Sequence, residues 1–165
     1  MNLIISGAAL PDGTARDLFV SDGVFVDAAP KGATTIDAAG LTALPGLVDL
    51  HTHLREPGYE QSETVLTGSR AAAAGGFTAV HAMANTSPVA DTAGVVEQVY
   101  SLGAQHGYVT VRPIGAVTMG LEGERLSEIG AMASSRARVT VFWRWGVGQR
   151  ELRRKRRMGT LVLNL

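Results

Sequence analysis

The sequence has no cysteine, which excludes a disulfide framework and a thiolate metal site. Any metal ion would have to be held by His, Asp or Glu. No apolar run is long enough to span a membrane. The N-terminal MNLIISGAALPDG also lacks the basic n-region of a signal peptide. A cytoplasmic location is therefore expected, with no membrane as partner. Charged residues make up only 18% and hydrophobic residues 45%, an ordinary globular balance. At 165 residues the chain can bury a real core. It is short of the ~250 residues that a complete (β/α)₈ barrel typically takes.

Net charge is also absent, but the balance hides a split. Residues 1–142 carry fourteen acids against eight bases, a charge of −6, and residues 143–165 carry seven bases against Glu151, a charge of +6. Such asymmetry marks either a basic arm for nucleic acid or a stretch of foreign origin.

Two patterns follow one another along the body. Residues 1–45 alternate apolar and polar residues between Gly, Asp and Pro punctuation, the mark of a small β-layer. Within it VSDGVFV places Asp-Gly between two β-rich runs, a hairpin signal. From 46 to 142 strands and helices take turns. LPGLVDLH is a compact apolar strand. QSETVLTGSRAAAAGG is a helix with a Ser62 or Thr64 cap and a Gly-Gly stop. FTAVHAMAN is a buried strand, and DTAGVVEQVYSLGAQHG a helix with Val95, Val99 and Leu102 on one stripe. YVTVRPIGAVT is a third strand, GERLSEIGAMASS a third helix and ARVTVF a fourth strand. Short connections between alternating elements predict parallel βαβ units. The expected fold is α/β, a β-layer of 1–45 followed by the first half of a (β/α)₈ barrel over 46–142.

The chemistry concentrates in DLHTHLREPG, Asp49 to Gly58. A strand puts residues i, i+2 and i+4 on one face, which would align His51, His53 and Arg55. Two imidazoles so placed suit a shared zinc ion. A guanidinium beside them suits a carboxylate. Asp49, deeper on that face, could orient a histidine. The pair falls at the C-terminal end of the first barrel strand, where barrel sites are built. HAMANTSP follows the next strand, and its Asn85 has an amide to offer a substrate oxygen. His81 reads as a core histidine, His106 as a helix C-terminal residue favoured by the dipole, and Thr118 as a candidate for the pocket rim.

PGLVDLHTHLREPG together with GGFTAVHAMANTSP resembles the dihydroorotases of the long bacterial class, in the amidohydrolase superfamily. The resemblance runs from about Met1 to Phe142 and departs at Ala84, where the family usually has proline. It implies the reversible conversion of N-carbamoyl-L-aspartate to (S)-dihydroorotate in pyrimidine biosynthesis. It implies His51 and His53 as ligands in a centre of one or two zinc ions, and Arg55 and Asn85 as holders of the substrate carboxylate. The family's general-base Asp and its remaining metal ligands come later than this chain's family-like part, so no catalytic residue is assigned. The implied partner is a small-molecule substrate, with a homo-oligomer or a pyrimidine-pathway enzyme as protein partner. The 165-residue chain alone is expected to be inactive.

After Phe142 the family pattern would read approximately Ser-Asp-Asp-Gly-Val, whereas this chain has Trp143-Arg144-Trp145-Gly146-Val147. Codons for Arg-Trp-Gly-Val can be chosen so that a one-base shift reads Asp-Gly-Val. The tail 143–165 is therefore read as out-of-frame and poorly ordered, and the nucleotide sequence around codon 143 tests that. Other readings are a non-catalytic partner of aspartate carbamoyltransferase, and a hydantoinase- or allantoinase-type hydrolase. A nucleic-acid arm in RELRRKRR would be marked by salt-sensitive binding.

Overall fold

The computed structural model describes residues 1–135 and the backbone of 140–142. The expectations for the tail, including Trp143–Val147 and the basic run, lie outside the described residues. The chain divides into two compact units, Met1–Pro45 and Gly46 onward. No helix among the described residues is long and apolar enough to cross a membrane.

The first unit is a four-stranded sheet in the order β3-β2-β1-β4. Its strands are β1 (Asn2–Ala9), β2 (Ala15–Ser21), β3 (Val24–Val26) and β4 (Thr34–Asp37). The Asp-Gly hairpin forms between β2 and β3, with Asp22 at φ 50 and Gly23 at φ 80. Two successive left-handed residues match the twist of the flanking strands.

The second unit is a parallel sheet in the order β5-β6-β7-β8. It contains β5 (Leu47–Thr52), β6 (Phe77–Ala82), β7 (Thr110–Ala116) and β8 (Thr140–Phe142). Helix α1 (Val65–Ala74) lies between β5 and β6, α2 (Ala93–His106) between β6 and β7, and α3 (Ile129–Ser134) between β7 and β8. The α/β arrangement expected from the alternation is present, as an incomplete barrel. One core gathers Val65 of α1, Val80 and Ala82 of β6, Val99 of α2 and Val111 of β7 around Leu54. A second gathers Ala84, Ala90, Val96, Ala116 and Met132. Each fully buried Val, Leu or Met side chain among these is worth about 1.5–3 kcal/mol. Val48 and Leu50 of β5 remain 52% and 67% exposed, so helices cover β6 and β7 while the apolar side chains of this edge strand face solvent.

Three local expectations are sharpened or corrected. The α1 cap is Thr64, not Ser62. Thr64 Oγ1 accepts from Thr67 N at 3.1 Å and Thr67 Oγ1 accepts from Thr64 N at 3.0 Å, a reciprocal capping box. On α2 the fully buried line is Val96, Val99 and Gly103, and Val95 and Leu102 flank it half-buried. Gly103 explains the rotation. A Cβ there would come within 2.5 Å of Val111 Cβ, so its bare backbone lets the helix settle against β7 along that line. The third helix covers only Ile129–Ser134, not the whole of GERLSEIGAMASS. The backbone ahead of it is spent on a turn. Met119 N donates to Arg125 O, Thr118 bridges Leu126, and Gly123 sits at φ 83.

Candidate active site at the strand ends

His51 is the fifth residue of β5, and His53 follows the strand end. Their rings meet edge to face, 5.1 Å apart and inclined by 64°. Two imidazoles on one tetrahedral ion, with Zn–N near ~2 Å, would stand about 5 Å apart centre to centre. The spacing of the pair lies in that range. Among the described residues, no group of three or more His, Cys, Asp or Glu comes together to hold a metal. The two imidazoles alone would supply at most half of a tetrahedral ligand set.

The second half of the geometry is the bond between His53 Nδ1 and Asn85 Oδ1, 2.8 Å. A carboxamide oxygen only accepts, so Nδ1 carries the proton and the lone pair of the neutral ring lies on Nε2. Nε2 is then the atom that can ligate.

Arg55 and Asn85 line one pocket of about 430 Å³. Tyr59, Ser62 and Thr86 complete its polar side, and Val89 and Leu121 its apolar side. Strand alternation does not put Arg55 there. β5 ends at Thr52 and Arg55 sits at φ 61, outside extended geometry. The turn that follows fixes it. Tyr59 N donates to Arg55 O at 2.9 Å, and Glu56 Oε2 accepts from Val65 N at 2.7 Å at the start of α1. Main-chain bonds from Met83 N to Thr52 O and from Ser87 N to Pro57 O tie this loop to the one carrying Asn85.

Other polar residues take different places. Asp49 Oδ1 accepts from the backbone N–H of His51 at 2.9 Å, the main reason its carboxyl stays below its ordinary value. The main chain of His51 thus engages the carboxylate expected to orient a histidine. His81 is half-buried rather than a core residue. Burial and then the charge of Arg112 push its pKa down, and Asp49 opposes them. Thr118 does not line the pocket. Its Oγ1 accepts from Gly123 N and its carbonyl from Leu121 N. Leu121 was missed because its stretch reads as loop followed by helix. A larger groove of about 720 Å³ opens at the opposite end of the strands, around Phe77, Tyr100, Tyr108 and Arg112. It brings together no paired imidazoles.

A family described as dihydro-orotase-like matches residues 40–151. A dihydroorotase of Leifsonia xyli subsp. xyli is 72% identical over 143 residues, covering 84% of this chain and 33% of the relative. One of Streptomyces coelicolor is 60% identical over 144 residues, with the same coverage. An L-hydantoinase (dihydropyrimidinase) from Arthrobacter aurescens superposes with a TM-score of 0.61 at 27% identity, over 73% of this chain and 29% of its own. The chain thus spans about a third of the length of the curated relatives it matches.

Proposed function

The chain belongs to the dihydro-orotase-like family of cyclic-amide hydrolases, and on that premise we propose that it is the N-terminal part of a dihydroorotase. The reaction is the reversible closure of N-carbamoyl-L-aspartate to (S)-dihydroorotate, in cytoplasmic pyrimidine synthesis. The observation that carries this reading is one pocket lined by both Arg55 and Asn85, with Asn85 bonded to His53.

Arg55 offers a planar fork of donors to the substrate carboxylate. The Asn85 amide nitrogen donates to the same end of the substrate while its oxygen holds the His53 ring. Together they orient the ring so that its amide points toward the imidazoles. His51 and His53 would hold zinc, which supplies an activated water and a polarised carbonyl when bound. The general base and further ligands belong to the remaining length of a complete relative. The 165-residue chain therefore binds the acid without turning it over. A homo-oligomer or a pathway-enzyme complex is the setting in which it would work.

The structural likeness to a hydantoinase favours a second reading, a hydrolase of neutral cyclic amides. The Arg55–Asn85 pair argues for an acidic substrate instead. Titrating the purified chain with dihydroorotate and with unsubstituted hydantoin tests both. The expected result is saturable binding of the acid, lost in Arg55→Ala, with no hydrolysis. Preference for hydantoin would sink the carboxylate reading. Turnover by the 165-residue chain would refute its inactivity.

A further inference from the structure

Among the described residues, three non-glycine residues have positive φ: Asp22, Arg55 and Leu121. Asp22 belongs to a hairpin turn, but Arg55 and Leu121 line the same pocket. Leu121 is at φ 60 and follows Gly120 at φ 61. A left-handed conformation costs a leucine about 1–2 kcal/mol, and it persists only where its surroundings fix it. Here they do. Asp91 Oδ2 accepts from Gly120 N at 2.7 Å, and Leu121 N donates to Thr118 O at 3.1 Å. Thr118 Oγ1 then accepts from Gly123 N at 3.0 Å. The leucine side chain packs half-buried against the cluster of Ala84, Val96 and Met132.

We propose that Leu121 is a specificity-determining residue, the apolar wall that limits substitution on the substrate ring. Asp91 is its positioning residue, acting through the Gly120 N–H. The carboxylate is held at Arg55 and Asn85, so the apolar wall of Leu121 and Val89 is left to meet ring carbon. A close-packed wall admits an unsubstituted ring CH₂ and rejects an added alkyl group there. One methylene against such a wall is worth about 10–200-fold in discrimination. This rests on the carboxylate reading above and adds the part of the pocket that selects among carboxylated rings.

The test compares the affinity of the 165-residue chain for dihydroorotate and for 5-methyldihydroorotate by calorimetry. The unmodified chain is expected to prefer dihydroorotate by about tenfold or more. Leu121→Ala is expected to bring the two within about threefold, and Asp91→Ala to shift the ratio the same way. Leu121→Gly opens the wall and also relieves the φ strain. If it gains stability while the affinity ratio stays as in the unmodified chain, Leu121 is merely structural and the proposal is overturned. An unchanged ratio in Leu121→Ala overturns it as well. Failure of the unmodified chain to bind either acid overturns the carboxylate reading and this proposal together.

Discussion

The side chains of His53 and Asn85 meet at 2.8 Å, Nδ1 to Oδ1, joining the end of β5 to the loop after β6. Asn85 thus links the imidazole pair to the pocket that holds Arg55. Residues that orient a metal-binding histidine typically contribute 10–100-fold in metal affinity. Asn85→Ala is therefore expected to weaken zinc binding by about tenfold and also to weaken dihydroorotate binding. Arg55→Ala is expected to lose the acid but keep the metal. Separate titrations with zinc and with dihydroorotate read the two effects. An Asn85→Ala chain with unaltered zinc affinity would make the bond incidental.

Gly58 sits where the two site loops touch. Its φ is +100, and a Cβ there would lie 2.3 Å from the carbonyl oxygen of Ser87. Gly58→Ala therefore meets both a disfavoured backbone and a main-chain collision. It is expected to destabilise by about 1–3 kcal/mol, read as a lowered urea midpoint. Acid binding should fall with it, since the loops carrying Arg55 and Asn85 must part. Unchanged stability would mean that the loops are free to separate.

Much of this was legible in the sequence. The Asp-Gly hairpin, the Gly-Gly stop and the strand-helix alternation have local causes, and local causes show in a sequence window. The contacts that build the pocket do not. His53 and Asn85 are 32 positions apart, and only the parallel pairing of β5 with β6 brings them together. Period-two reasoning aligned Arg55 with the histidines, but it assumes a continuing strand, and here the strand stops at Thr52. Leu121 was hidden for a related reason. Its place depends on a side-chain acceptor 30 positions back, Asp91, whose bond to Gly120 no periodicity encodes. Residues 123–128 carry helix formers, yet bonds from Gly123 N to the Thr118 hydroxyl and from Ser127 N to Val117 O hold part of that stretch as a turn.

Glu56 offers a graded test of the Arg55 turn. Its carboxylate accepts from the N–H of Val65, a fully buried residue at the first position of α1. Glu56→Gln keeps an acceptor and loses the interaction of charge with the helix dipole, about 0.3–1 kcal/mol. Glu56→Ala strands a buried donor, about 1–3 kcal/mol. The order of urea midpoints is expected to be Glu, then Gln, then Ala. Dihydroorotate affinity is expected to fall in the same order, because Arg55 precedes Glu56 in the turn. Equal midpoints for Gln and Ala would show that the charge, not the acceptor, carries the effect.

His81 gives the pH dependence a definite sign. Burial, and then the Arg112 charge beside it in the β6–β7 register, hold its pKa below 6.5, while Asp49 pulls it upward. The folded chain therefore takes up a proton less readily than the unfolded one. This group costs no stability above pH 6.5. The penalty grows as the pH falls through 6.5 and levels off once the pH is below the folded value. Arg112→Met removes one of the two causes. The His81 pKa should rise but remain below 6.5, because burial persists, and the loss of stability on acidification should become shallower. Asp49→Asn should act in the opposite direction. Titrating the His81 ring by NMR in each variant measures the shift, and urea midpoints at pH 7.5, 6 and 5 measure its consequence. If the His81 pKa falls in Arg112→Met, the guanidinium is acting through the packing of the strand and not through its charge.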